Sequence, residues 1–481
     1  RPPIKSSPKP TVQQLQTRRT RRRHRRFPEA AGAHPHRGRR SPVRTPGCME
    51  QSWHFSVVSI YVDIIRDGHL IADGGPEELI HGASVKNISG RRPLQRFDAV
   101  LICCLTTTAC TQNSAGISLD DEATVLSSAR GAEAAVVISP DALKTERRGA
   151  LIFVGGQSST SWVELDGLEH AEVTFDEQGV LGVPQRGELV AIGDRVTRMK
   201  RTLLFKDPGA FGTPLPMGHG GFLFYFNVGF GDASTGSLYA QTLEAIPAAP
   251  ALPLRGSVSA LGNCGTRIGT LTEVTRPSES GSWTAKAAVM DSTGSTPKTS
   301  RTVKLSTPLG KDVRMPCHEG VLHSVALDSS AKTSTTRAEL FSLDTTSGEL
   351  KGHEIPLPTA VSSNGPLGGG AQLAAQAIID GQLTWVTMEG DLLSTQIATG
   401  KTRHIAHLPA IRLGKWWVPS FQDHRLAIWN TGEDGKGRLV VIDATTGKEL
   451  ESRPTPLVDE ALRAMPEGAF VSGLALAPLK P

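Results

Sequence analysis

From residue 150 onward the apolar residues come in short runs: 150–154, 161–165, 171–175 and 188–192. Each run is β-leaning and is closed by Gly, Asp or Pro, which predicts short strands joined by turns. The pattern is sharpest at 438–450, reading R-L-V-V-I-D-A-T-T-G-K-E-L. Here 439–442 suits a buried strand, 443–447 a turn, and 448–450 a second extended segment. The turn has a mechanism: Asp443 can bond the backbone two residues on, and Gly447 accepts positive φ. A short helix is predicted over 123–135.

The same unit recurs upstream as E-L-F-S-L-D-T-T-S-G-E-L over 339–350 and D-L-L-S-T-Q-I-A-T-G-K-T-R-H over 391–404. Aligned on Asp443, the equivalent positions are Gln396, Asp344, Asp291, Gln241 and Asp194, spaced by 47, 52, 53, 50 and 47 residues. A period near fifty, built from short strands, predicts an all-β single β-propeller with four-stranded blades. Seven blades fit the length, with six and eight as alternatives. The segment 469–478, A-F-V-S-G-L-A-L-A-P, is expected to complete the first blade and so close the ring.

The D-x-x-T-G-K unit resembles the blade repeat of PQQ-like, quinoprotein-type β-propellers. Asp443, Thr446, Gly447 and Lys448 match best. Asp344 and Gly348 match in part, with Ser347 for Thr, and so do Thr399, Gly400 and Lys401 without the Asp. The tryptophan that follows the turn in that family is absent. The resemblance implies a structural role for Asp291, Asp344, Gly348, Gly400, Asp443 and Gly447. It implies no quinone by itself, and no cofactor is expected.

Charge is unevenly placed. Residues 1–47 carry twelve Arg, two Lys and one acid, a net +13. Residues 48–109 carry −2, so the formal +5 of the whole chain leaves −6 for 110–481. The Arg-rich head has no apolar period and is expected to be disordered. One reading makes it a nucleic-acid arm. The other makes 1–84 text from upstream of the true start and not native protein. The acidic body argues against nucleic acid as its partner.

Residues 85–110 have the layout of a signal peptide. Lys86, Arg91, Arg92 and Arg96 precede a short apolar core at 99–105, too short to span a bilayer. The Thr-Ala-Cys end resembles a bacterial lipobox, which implies lipidation of Cys110 and a membrane anchor. Residue 107 is Thr where a branched aliphatic residue is usual, so ordinary cleavage stays open. The expected order is therefore head 1–84, signal 85–110, tether 111–145 and propeller 146–481. In an exported body, Cys264 and Cys317 are expected to form a disulfide, one blade apart.

Candidate chemistry is sparse. The chain has no G-x-S-x-G, no phosphate loop, no H-E-x-x-H and no C-x-x-C. Residues 217–221, M-G-H-G-G, read as a Gly-rich turn. His404, His407 and His424 lie beside strands, and their spacing implies no metal site. Residues 222–226, F-L-F-Y-F, read as a core strand. Trp416 and Trp417 either line a ligand face or pack between blades. Together these features favour a non-enzymatic binding or scaffold module at the cell envelope, exported or lipid-anchored, with a protein, peptide or glycan ligand. The alternatives are a quinone-dependent or other propeller enzyme, and nucleic-acid binding through the head.

Overall fold

The computed structural model describes residues 116–479 apart from 142–145, 156–160, 203–210, 231–238, 248, 255–256, 276–282, 293–298, 306–312, 329–336, 359–372, 409–416 and 433. The head, the signal segment, Cys110 and Trp416 lie outside the described residues.

The strands form seven sheets, one per blade of a β-propeller. Blade two holds Thr174–Phe175, Leu181–Pro184, Glu188–Ile192 and Val196–Lys200. Blade three holds Phe211–Gly218, Gly221–Phe230, Tyr239–Ile246 and Ala249–Leu254. Blade four holds Ser257–Cys264, Arg267–Thr275, Trp283–Asp291 and Thr299–Leu305. Blade five holds Cys317–His318, Val321–Asp328, Arg337–Asp344 and Leu350–Ile355. Blade six holds Leu373–Ile379, Gln382–Thr387, Asp391–Gln396 and Thr402–His407. Blade seven holds Trp417–Gln422, Arg425–Thr431, Gly437–Asp443 and Glu449–Pro454.

Blade one joins both ends of the ring. Its strands Ala134–Ser139, Arg148–Val154 and Val163–Asp166 are completed on the inner side by Phe470–Leu476, antiparallel to Ala134–Ser139. The closing strand expected at 469–478 is therefore present. Ser472 Oγ donates to the Ala171 carbonyl at 2.8 Å and so accepts from the Ser139 hydroxyl at 2.7 Å. The 111–145 stretch, expected as a tether, contains α1 (Glu122–Ala129) and the blade-one strand Ala134–Ser139. That strand is buried at all six positions, so its A-A-V-V-I-S text shows no polar alternation to mark it as sheet. α1 begins at Glu122, where its N-cap Asp121 accepts from the Thr124 N–H at 3.2 Å, and ends well before 135 because the strand claims the residues from 134. α2 (Pro456–Ala464) covers the step from blade seven to blade one, burying Val458 and Ala461. Among the described residues no helix is long and apolar enough to cross a membrane.

Packing follows the period-two rule on both faces of each blade. In Gly221–Phe230, Phe222, Phe224 and Phe226 face blade two, while Leu223 and Tyr225 face blade four. In Arg425–Thr431, Leu426 and Ile428 face blade six, while Ala427 and Trp429 face blade one. Gly182 allows the first contact, since a Cβ there would stand 2.7 Å from the Phe222 ring.

Two further links join neighbours. Arg201, after the last strand of blade two, is buried beside Glu244 of blade three, with Nε to Oε1 at 3.1 Å and side-chain exposures of 1% and 3%. Glu244 Oε2 also accepts from the Thr202 N–H, and the Arg201 guanidinium lies over the Phe226 ring. The sulfurs of Cys264 and Cys317 are bonded, joining the inner strands of blades four and five across a sequence separation of 53.

Glu244→Ala leaves a buried guanidinium without its counter-charge, and is expected to cost about 3–5 kcal/mol in urea unfolding. The double variant Arg201→Met, Glu244→Leu should recover most of that loss. Cys264→Ser, Cys317→Ser is expected to cost about 2–4 kcal/mol, from loop closure in the unfolded chain. Alkylation mass of protein from an oxidising compartment checks the bond: no free thiol at either position is expected, and two would refute it.

Candidate functional site

The recurring Asp is a turn device. Asp443 Oδ1 accepts from the Thr445 hydroxyl at 2.6 Å and from the N–H groups of Thr445 and Thr446 at 2.8 and 3.1 Å. These bonds, led by the hydroxyl, hold its carboxyl below the ordinary value. Gly447 has φ +73 and donates to the Asp443 carbonyl at 2.8 Å. Asp344 repeats this with the N–H groups of Ser347 and Thr346, and Gly348 has φ +69. In blade six Gln396 Oε1 instead takes the Thr399 hydroxyl at 2.6 Å, and Gly400 keeps φ +68. Asp291 ends the equivalent strand of blade four, opposite Arg267. The turns at Asp443, Asp344 and Gln396 join the two outer strands of their blades, away from the channel.

Gln241 does not belong to this set. It lies inside Tyr239–Ile246, where its amide donates to Tyr225 Oη at 2.6 Å and accepts from the Val258 N–H at 3.1 Å. The long strands of blade three move its turn beyond Ile246, so a constant spacing lands on the wrong residue. The absent repeat tryptophan is replaced from other strands. Trp385 and Trp429 are buried between blades, donating to Thr395 and Thr455 at 3.0 and 3.1 Å.

The inner strands surround a central cavity of about 610 Å³, within the range of small-ligand sites. Its wall is mixed: Leu373, Val418 and Phe421 stand beside Glu172, Arg314 and Gln376. Trp417, the first residue of the blade-seven inner strand, lines this cavity and is also packed into the core between blades six and seven. Trp417 thus packs between blades and also borders the cavity.

Two linkers narrow the channel. His170–Ala171, between blades one and two, pairs in parallel with Phe211–Gly218 as a fifth, innermost strand of blade three. Val313–Arg314, between blades four and five, does the same on blade four. The linkers meet through an ion pair: Arg314 approaches Glu172 Oε2 with its NH2 nitrogen at 2.7 Å and Nε at 2.9 Å. Both side chains are about one-third exposed, at 32% each, so they face the cavity and are not sealed in the core. Gln376 of blade six donates to the Arg314 carbonyl at 2.7 Å and to Ser324 Oγ at 3.0 Å, and accepts from the Val325 N–H at 3.1 Å. His170 stacks on Phe211 with ring centroids 5.4 Å apart. Burial pushes its pKa down, against the opposing pull of Glu172, which favours the neutral ring.

The channel therefore combines apolar and hydrogen-bonding side chains with one partly exposed charge pair. It can hold an apolar group and meet a single charge or dipole. Glu172, Arg314 and Gln376 escape sequence reasoning because they sit in linkers or on an unmarked strand. His323, on blade five, is a core residue: burial, with His318 adding, takes its pKa down to about 4, and Nδ1 lies 2.9 Å from Ser342 Oγ.

No protein-family model matches the chain, and no curated protein matches it. Its structure is similar to BamB from Moraxella catarrhalis, at 13% identity over 66% of this chain and 87% of the other, with a TM-score of 0.37. It is similar to apo AztD from Citrobacter koseri, at 11% identity over 71% and 97% with a TM-score of 0.37. It is also similar to Pyrococcus horikoshii acylaminoacyl peptidase, at 11% identity over 69% and 52% with a TM-score of 0.43. At such identities these are likenesses of fold, and no activity is drawn from them.

Proposed function

We propose that this protein is an exported, non-enzymatic binding module of the cell envelope, tethered through Cys110, that seats an apolar peptide segment of a partner protein in its central channel. The observation that carries the binding reading is the cavity of about 610 Å³ whose mixed wall includes the Arg314–Glu172 pair. The mixed wall can pack apolar side chains on Leu373, Val418 and Phe421 and pair backbone amides with Asn263, Gln376 and Ser420, the combination a peptide segment offers. Arg314 and Glu172 can each answer one charge or amide of a bound segment. Export is supported by the signal layout of 85–110 and by the Cys264–Cys317 bond, a feature of oxidising compartments. The repeat turns contribute the ring and not the ligand.

Panning a displayed peptide library against the folded protein is expected to enrich apolar sequences. Ala375→Trp, which fills the channel, should weaken their binding at least tenfold, and Arg314→Ala should weaken it without unfolding the ring. Equal capture by wild type and Ala375→Trp sinks the channel as the ligand site. For the anchor, the mass of the mature protein from a bacterial membrane fraction is expected to begin at Cys110 with attached acyl chains. Soluble protein beginning near Met49 would refute export.

A further inference from the structure

The protein shows twice how an extended segment seats in its channel. Just after the parallel pairs His170–Ala171 and Val313–Arg314, the chain makes the same bond: the Glu172 N–H donates to the Gly212 carbonyl at 2.8 Å, and the Met315 N–H to the Leu261 carbonyl at 2.8 Å. Each linker thus adds a strand to the inner edge of a blade, where main-chain N–H and C=O groups would otherwise lack partners. The closing strand of blade one is covered too, since a Cβ at Gly473 would stand 2.6 Å from the Ala171 carbonyl. The inner strands of blades two and five are only two residues long, Thr174–Phe175 and Cys317–His318. That leaves Leu373–Ile379 of blade six and Trp417–Gln422 of blade seven as long inner strands with no strand beyond them among the described residues. Residues 373–378 all line the cavity, and none of them is fully buried.

Register decides between the two edges. The Gln396 N–H donates to the Lys401 carbonyl, so the main-chain groups of Gln396 face the outermost strand of blade six. Alternation across the paired strands then directs the N–H and C=O of Gln376 and Ile378 away from the ladder and into the channel. Gln376 stands three residues before the closing pair of its hairpin, Ile379 with Gln382, as Leu261 stands three before the pair Cys264 with Arg267. It is therefore the blade-six counterpart of the residue that receives a linker on blade four. In blade seven the counterpart is Pro419, three before Gln422, and proline has no N–H to offer.

On the reading of the channel as a peptide site, we propose that the guest binds extended, as a parallel fifth strand on the inner edge of blade six, exchanging main-chain hydrogen bonds with Gln376 and Ile378. Both built-in linkers run parallel to the strands they join, which sets the direction of the guest. In strand addition the main chain supplies affinity and alternate side chains supply specificity. Guest side chains alternate between the blade-seven side, with Val418 and Phe421, and the side of Arg314. The Gln376 side chain is committed to Arg314, Ser324 and Val325. It holds this strand against blade five while the main chain points to the channel.

The probe is the tightest peptide recovered by panning, resynthesised with each amide N-methylated in turn, and its binding to the full chain is measured by calorimetry. Strand addition predicts a period of two: about tenfold weakening at alternate positions, the scale of one lost hydrogen bond, and little change between them. A photoreactive group at the N-terminus of the peptide should attach to Leu373 or Ala374. On the protein side, Gln376→Pro copies Pro419 and removes the edge N–H. It should weaken binding about tenfold more than Gln376→Ala, which keeps that N–H, with folding of both checked by far-ultraviolet dichroism; the N-methyl series needs no altered protein. A flat N-methyl profile, or attachment at Ile378, in a peptide whose binding Ala375→Trp abolishes overturns strand addition and leaves the channel site standing. Capture unchanged by Ala375→Trp removes the channel site and strand addition with it.

Discussion

Two-sided burial is the constraint on which the rest of the structure depends. The middle strands of each blade are apolar on both faces, as the split of Phe222, Phe224 and Phe226 from Leu223 and Tyr225 shows. No blade can satisfy itself alone, so each needs a neighbour on either side, and only a closed ring supplies both. Closure then requires the two ends of the chain to share blade one, with Phe470–Leu476 beside Ala134–Ser139. The Arg201–Glu244 pair and the Cys264–Cys317 bond join neighbours already held by apolar packing.

The parts of the fold visible in the sequence are those fixed by local chemistry. Asp443 and Gly447 announce a turn because one side chain and one backbone freedom produce it. Gln241 deceived for the opposite reason: a turn position inferred from spacing holds only while strand lengths stay constant, and blade three has longer strands. Ala134–Ser139 was hidden because a strand buried on both faces has no alternation. Trp417 was legible as an aromatic near a strand, but its face depends on which neighbour blade seven meets.

The channel was illegible for a different reason. Glu172 and Arg314 are 142 residues apart and are joined only because two linkers lie against the inner edges of two separate blades. Nothing local distinguishes them from ordinary surface charges. The contrast with Arg201 and Glu244 is instructive. That pair keeps only 1–3% of its side-chain surface open and is costly to break one partner at a time; the other keeps about a third of its surface open.

The inserted pairs His170–Ala171 and Val313–Arg314 have a further consequence. A ring of near-equivalent blades offers a ligand many poses related by rotation about the channel axis. With the inner edges of blades three and four occupied by the chain itself, that rotational equivalence is removed. The cavity acquires a front and a back, and a guest entering it meets one azimuthal orientation in which its polar group reaches Arg314 or Glu172. Two short linkers are enough to make the channel wall unequal around its axis.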